Sequence, residues 1–142
     1  MEPDRISWQE YFSQLARLVA KRSPCHRLHV GCVLVKENHI ISTGYNGFLP
    51  GAEHKSIVVD GHELATVHAE MNAVVDCARR GVSVDGAVAY ITHYPCVNCF
   101  KALVAAGVNK ILYLEDYRNN EVVGKLQEGC GVEVLKIDSP FS

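Results

Sequence analysis

The chain has 142 residues, 48% of them hydrophobic, which fits one domain over residues 1–142 with a sizeable core. Its 14 Lys and Arg residues are outnumbered by 16 Asp and Glu residues, so the net charge of −2 disfavours a polynucleotide partner. No apolar run approaches the roughly 18 residues of a membrane span, and the N-terminus shows no signal-peptide pattern. We therefore expect no membrane partner and a cytoplasmic setting.

The first predicted element is an amphipathic helix. Ser7 and Glu10 fit a capping box at its start, and Pro24 prevents its continuation at the other end. Apolar side chains recur behind the cap at helical spacing, and we expect them to pack in the core. They are Trp8, Tyr11, Phe12, Leu15, Leu18 and Val19.

A β-hairpin and a long loop follow. Two β-branched, apolar runs over residues 30–36 and 40–45 flank residues 37–39, a pattern that predicts two paired strands. A Gly- and Pro-rich stretch then continues irregularly from Asn46 toward Gly61. Because loops of this length in compact domains are usually functional or disordered, we expect a substrate lid or an effector site here.

Helices and strands alternate through the rest of the chain. The pattern predicts a helix over residues 69–79 that stops at Gly81, a strand over 87–92, a helix over 97–106, a strand over 110–115, a helix capped by Asn120 that runs to 127, and a strand over 132–137. This order predicts an α/β protein with a mixed five-stranded sheet between two layers of helices.

One histidine and two cysteines carry the chemistry of this chain. His68, Cys96 and Cys99 are the donor types of a zinc site that keeps its fourth position open, whereas structural zinc sites usually have four protein ligands. Glu70 is then free for proton transfer. The pattern His-x-Glu followed by Pro-Cys-x-x-Cys is typical of zinc deaminases. The competing interpretations are a structural zinc knot and a redox-active cysteine pair.

Helical geometry restricts where these donors lie. Residues two apart on a helix are separated by about 200°, so His68 and Glu70 converge only if His68 lies at the start of its helix, with Thr66 as a capping residue. Cys96 and Cys99 share a face at the start of the next helix, to which Pro95 is suited. Helix N-termini favour thiolates over thiols, which makes the two cysteines better ligands.

Two further segments extend the pattern beyond the zinc motifs. Residues 25–31 read Cys-His-Arg-Leu-His-Val-Gly, and residues 44–47 read Gly-Tyr-Asn-Gly. With the zinc motifs in the same order, they make the chain similar to the deoxycytidylate (dCMP) deaminases of the cytidine deaminase superfamily, from about Trp8 to Val134. The resemblance implies a three-layer cytidine deaminase-like fold, with His68, Cys96 and Cys99 as zinc ligands and Glu70 as the catalytic proton shuttle.

The resemblance also implies a substrate and a mode of regulation. Hydrolytic deamination of dCMP would yield dUMP and ammonia, with substrate contacts from Arg27, Asn46, Ala69, Tyr94 and Tyr117. The related enzymes are often homohexamers that dCTP activates and dTTP inhibits, and this resemblance points to Tyr45 and Gly47 as effector contacts. His29 neighbours Arg27 and could help to neutralise a phosphate.

One departure from the family concerns the metal count. Many relatives carry a His-Cys pair after the Gly-Tyr-Asn-Gly turn as part of a second zinc site, where this chain has His54-Lys55. We therefore expect one zinc per chain. Three other functions stay open at this point: deamination of dCTP in addition to dCMP, deamination of adenosine in tRNA, and a non-catalytic zinc-stabilised binding module.

Overall fold

The computed structural model describes residues 4–138, which form four helices and nine strands. The helices are α1 (Trp8–Ala20), α2 (Ala69–Arg80), α3 (Val97–Ala105) and α4 (Glu121–Cys130). The strands are β1 (Gly31–Lys36), β2 (His39–Tyr45), β3 (Gly47–Phe48), β4 (Val58–Val59), β5 (His62–Glu63), β6 (Thr66–Val67), β7 (Val88–His93), β8 (Lys110–Glu115) and β9 (Glu133–Lys136). That the whole chain forms a single domain stays a prediction.

Five strands form the central sheet in the order β2-β1-β7-β8-β9. The pairs β1–β2 and β1–β7 are antiparallel, and the pairs β7–β8 and β8–β9 are parallel. Helices α3 and α4 connect the parallel strands, as such crossovers require. The mixed five-stranded sheet predicted from the sequence is confirmed.

Helices cover both faces of this sheet and create two apolar cores. Helix α1 packs on one face, where Phe12 and Ala16 meet Val33, Tyr90 and Leu112. Helices α2, α3 and α4 cover the other face, and their buried apolar side chains include Ala73, Cys77, Phe100, Leu103 and Val123. The three-layer α/β/α arrangement is therefore confirmed.

The prediction that all the apolar residues of α1 lie in the core is wrong for its outer side. Trp8, Tyr11 and Leu18 are exposed, whereas Phe12 is fully buried. A helix that covers one face of a sheet by itself buries a single stripe, and the apolar stripe of α1 is wider than that. Trp8 stacks on the ring of Phe12 with their centroids 5.7 Å apart and so covers that side chain from outside.

The long segment after β2 is more regular than the sequence indicated. Gly47 and Phe48 in β3 pair with Val67 and Thr66 in β6, and β4 pairs with β5. The backbone at Asp60 and Gly61 has φ angles of 51° and 78°, which suits the two-residue turn between β4 and β5. The segment therefore contains two small β-ribbons that the sequence analysis did not predict, while residues 49–57 between β3 and β4 form neither helix nor strand, as predicted for an irregular loop.

A close contact between β2 and α2 holds the beginning of α2 against the sheet. A Cβ atom added to Gly44 would lie 2.3 Å from the carbonyl oxygen of Ala69 and 2.5 Å from the amide nitrogen of Ala73. Only glycine permits this approach. The first turn of α2 is thereby fixed at the edge of the sheet where β2 ends.

The length and hydropathy of a helix decide whether it could cross a membrane. Between residues 4 and 138, no helix combines the length and the hydropathy that crossing a bilayer demands.

Candidate active site

His68 lies at the junction between β6 and α2. It is the N-cap of α2, with an extended backbone at φ −65° and ψ 152°, and its side chain makes no capping hydrogen bond. The prediction that Thr66 caps the helix is wrong, because Thr66 belongs to β6 and pairs with Phe48. Since the His68 ring does not cap the helix, it is free to turn toward the two cysteines.

Cys96 occupies the equivalent position at the start of α3. Its Sγ accepts a hydrogen bond from the Cys99 amide at 3.4 Å, so both cysteines lie in the first turn, after the buried Pro95. This is the placement predicted from their spacing. Two helix N-termini thus meet at one point, as proposed from the two motifs.

The three side chains present donor atoms at distances that suit zinc. Nδ1 of His68 lies 3.2 Å from Sγ of Cys99 and 3.6 Å from Sγ of Cys96. Tetrahedral zinc with the usual Zn–N and Zn–S bonds would separate nitrogen and sulfur by roughly 3.6 Å. Among residues 4–138 these are the side chains that could together hold a metal ion, and their donor atoms all lie within 4.8 Å of one another. The set of three fits zinc with an open fourth position.

The thiols influence each other's ionisation. A hydrogen bond from Cys99 lowers the pKa of Cys96 to about 4, so Cys96 is a thiolate at neutral pH. The same bond, together with burial, raises the pKa of Cys99. The hydrogen bond to Cys96 raises the pKa of His68. The site thus concentrates negative charge that a cation would neutralise, with release of the remaining thiol proton.

Glu70 lies in the first turn of α2, two residues after His68. Its side chain is 5% exposed, and this burial raises its pKa to about 7. A carboxyl group with a pKa near neutrality both accepts and returns a proton readily, which is the requirement for general acid–base catalysis. His68 and Cys96 are by contrast accessible from outside, so a small molecule can approach the donors from that side.

The side chain of Asn46 is already engaged with the backbone. Its Oδ1 accepts a hydrogen bond from the Val30 amide at 2.8 Å, and its Nδ2 donates to the Leu28 carbonyl at 2.7 Å. The Asn46 carbonyl also accepts a hydrogen bond from Ser23 Oγ at 2.7 Å. Asn46 therefore anchors the segment before β1, and any contact with a sugar would be additional to this role.

The other predicted substrate residues differ in their accessibility. Arg27 is exposed and forms no ion pair with any residue between 4 and 138. Tyr117 is exposed as well, and its ring lies beside His93, with their centroids 6.0 Å apart. The ring of Tyr94 packs edge-on against Tyr113 and joins the core below α2 and α3. Ala69 is completely buried, so only its main-chain amide could reach a ligand.

The predicted effector residues lie side by side at the end of β2. A Cβ atom on Gly47 would lie 3.3 Å from the Tyr45 ring, and the guanidinium carbon of Arg22 lies 5.9 Å from the centroid of that ring. Their roles stay predictions.

Asn72 is a site-positioning residue that the sequence analysis did not assign. Its Nδ2 donates to the carbonyls of Tyr45 at 2.8 Å and Val67 at 3.3 Å, so it joins the end of β2 to the strand that delivers His68. A weak helix former in the second turn of a helix is the signal that could have identified it.

The chain matches the family model of the cytidine and deoxycytidylate deaminase zinc-binding region over residues 6–115. It therefore belongs to that family. The described zinc donors, the buried carboxylate and the three-layer fold agree with this membership.

Among curated proteins, the chain is 41% identical to ComE operon protein 2 of Bacillus subtilis, over 95% of this chain and 74% of that protein. It is 34% identical to the deoxycytidylate deaminase of Schizosaccharomyces pombe, over 99% of this chain. The chain spans only 48% of the length of that yeast enzyme.

A solved structure with the same architecture is the dCMP deaminase of cyanophage S-TIM5 in complex with dCMP and dUMP. The two chains superpose with a TM-score of 0.82 and 34% identity, covering 96% of this chain and 99% of the phage chain. The resemblance to deoxycytidylate deaminases and the cytidine deaminase-like fold are both confirmed.

Proposed function

We propose that this chain is a zinc-dependent deaminase that converts dCMP and water to dUMP and ammonia. One observation carries the proposal: three zinc-type donors with an open side converge next to a buried carboxyl group whose pKa is near 7. A purely structural metal site has no use for such a carboxyl group. The dCMP and dUMP bound to the cyanophage relative support the choice of substrate.

Each residue has a defined part in the reaction. His68, Cys96 and Cys99 would hold the zinc, which when bound supplies a Lewis acid that lowers the pKa of a water molecule toward 7. Glu70 accepts a proton from the attacking water and delivers it to the ring nitrogen beside the reacting carbon. The water oxygen forms a bond to C4, and the bond from C4 to the amine breaks. Glu70 then takes the second proton of that water from the hydroxyl on C4 and passes it to the amine, which leaves as ammonia with a carbonyl formed at C4.

The phosphate of the substrate requires a cationic contact, for which we propose Arg27. Arg27 is suited to the phosphate because its guanidinium is exposed, forms no ion pair with residues 4–138 and is geometrically matched to phosphate oxygens. Tyr117 and the main-chain amide of Ala69 would contact the sugar or the base, and Tyr94 would support them from the core. Deamination of dCTP as well as dCMP is the second candidate, since Arg27 faces outward where further phosphates could extend.

The proposal is tested by measuring ammonia release from dCMP, dCTP, deoxycytidine and cytidine with the zinc-loaded protein. We expect dCMP to be the best of the four substrates. A preference for the unphosphorylated nucleosides would overturn the choice of substrate. Release from none of them, with zinc bound, would favour the non-catalytic binding module.

Glu70→Gln tests the mechanism. The neutral amide keeps the shape of the side chain but cannot carry the proton, so we expect a loss of roughly 10²–10⁴-fold in kcat with zinc content unchanged. Glu128→Gln in α4 removes an exposed carboxylate and is the matched control. Full activity of Glu70→Gln would contradict the assigned role.

Assembly, regulation and location complete the proposal. By resemblance we propose a homohexamer in the cytoplasm, activated by dCTP and inhibited by dTTP, with Tyr45 and Gly47 at the effector site. Light scattering and the dependence of turnover on added dCTP test these points. A monomer whose activity ignores both nucleotides would contradict them.

A further inference from the structure

A cavity of about 480 Å³ lies on the α1 side of the sheet, apart from the zinc donors. It is bounded by α1 and by the carboxyl ends of β7 and β8, and neither Glu70 nor any zinc donor lines it. The cavity is nevertheless at the same edge of the sheet as Cys96, which lies three residues after the end of β7. Crevices outside the carboxyl ends of strands are where α/β proteins commonly bind ligands.

Positive charge is concentrated on the helix wall of this cavity. Arg17 lies in the last turn of α1 and Lys21, four residues later, is the C-cap of that helix, and both side chains line the cavity. Neither forms an ion pair with any residue between 4 and 138. The exposed His29 contributes a third group from the segment before β1. This local charge is opposite in sign to the net charge of the chain.

Arg17 also carries an unsatisfied donor. Its Nε atom is buried and has no hydrogen-bond partner among the described residues. Buried donors are nearly always paired in proteins, so this one points to a partner other than residues 4–138. Helix α1 lies very close to β1 here. A Cβ atom on Gly31 would lie 2.1 Å from the carbonyl oxygen of Ala16, so the approach requires glycine at this position.

Glu115 is the acidic side chain that lines the cavity, and its carboxylate faces the ring of His93. Thr92 Oγ1 accepts a hydrogen bond from the Gly31 amide and lies 2.7 Å from Nδ1 of His93. Nε2 of His93 is then left to face Glu115 at 3.3 Å. Burial lowers the pKa of His93, so this ring stays neutral at pH 7. The two positive charges of Arg17 and Lys21 exceed the one negative charge of Glu115, so these side chains give the cavity a net charge of one positive unit.

We propose that this cavity binds a phosphate group, free or carried by a nucleotide, through Arg17 and Lys21 with His29 as a further donor. A guanidinium and an ammonium group on one side of a pocket are the donors that phosphate oxygens prefer. If the phosphate is that of the substrate, the inference rests on the proposed function, but the binding of inorganic phosphate is measured without turnover and so fails or succeeds independently of it.

The test uses the zinc-loaded chain with the double substitution Arg17→Met and Lys21→Gln. Binding of inorganic phosphate is followed by ³¹P NMR in a phosphate-free buffer. We expect the dissociation constant to rise by about tenfold to a hundredfold, since hydrogen bonds to charged groups are lost. Arg79→Met with Lys125→Gln, both exposed cations on other helices, is the matched control and should bind phosphate as the unaltered chain does. Lys21→Gln alone removes one exposed charge and reports binding if the double variant fails to fold.

Steady-state kinetics identify the source of the phosphate. If the cavity holds the substrate's phosphate, the KM for dCMP rises in the double variant and the KM for deoxycytidine does not. If it holds the phosphate of a second molecule, both KM values stay unchanged while phosphate binding is lost. Two results would overturn the proposal: phosphate binding equal to that of the control, or a change of oligomeric state with phosphate binding intact. The second would assign the cavity to a contact with another copy of the chain.

Discussion

Asn46→Ala would separate the two roles that Asn46 could have. The substitution removes the acceptor of the Val30 amide and the donor to the Leu28 carbonyl, two hydrogen bonds of 2.8 and 2.7 Å. Each such bond contributes about 0.5–1.5 kcal/mol net. We therefore expect a loss of about 1–3 kcal/mol in the free energy of unfolding. The segment that carries Arg27 and His29 would loosen, so the KM for dCMP should rise as well.

Urea unfolding at pH 7 measures the stability, and steady-state turnover of dCMP measures the KM. The exposed Asn109→Ala is the control and should lie within about 0.5 kcal/mol of the unaltered chain. If Asn46→Ala raised the KM but unfolded like the control, Asn46 would be only a substrate contact, and the argument from its two hydrogen bonds would be refuted.

Three further predictions concern packing, charge and metal. Gly44→Ala should cost about 1–3 kcal/mol of unfolding free energy in urea, because the added Cβ would lie 2.3 Å from the Ala69 carbonyl oxygen. Gly124→Ala, which meets no atom within 4 Å, should instead add about 0.5–1 kcal/mol. The hydrogen bond from Arg80 holds the pKa of Asp76 below its ordinary value of 3.8. Asp76→Asn should therefore cost up to about 1 kcal/mol at pH 7, with the difference in urea unfolding fading as pH falls below that value. Chelation should abolish turnover and lower Tm, and metal analysis after reconstitution should give one zinc per chain; two would contradict the expectation drawn from His54-Lys55.

The parts of the fold predicted from sequence are those fixed by local signals. Ser7 accepts a hydrogen bond from the Glu10 amide at 3.0 Å, and Asn120 accepts one from the Val122 amide at 2.8 Å, as their positions before helical patterns predicted. The hairpin turn is at Glu37 and Asn38, both with positive φ, so only its last residue was misplaced. The two-residue strands were missed because a pair of that length has no period that a sequence can display.

The site residues also divide into those with a local sequence signal and those without one. The zinc donors were found because a metal restricts residue type and spacing together, and both are visible in the sequence. The anchoring role of Asn46 and the cavity beside Arg17 depend on which segments meet in space. In the sequence, nothing distinguishes Arg17 from any other cation of an amphipathic helix. Only the three-dimensional structure reveals that its Nε is buried.

The zinc donors occupy positions that helices normally use for their own stability. An N-cap residue is usually Ser, Thr, Asp or Asn, and its loss costs about 0.5–2 kcal/mol. Helix α2 instead begins at His68, which makes no capping hydrogen bond with its side chain, and α3 begins at Cys96, whose sulfur is a weak acceptor at 3.4 Å. The start of α2 is held from outside, by Asn72 and by the close packing of β2 at Gly44. Stability given up at the two caps leaves the imidazole and the thiolate available to a metal, and the surrounding contacts keep them in place until it binds.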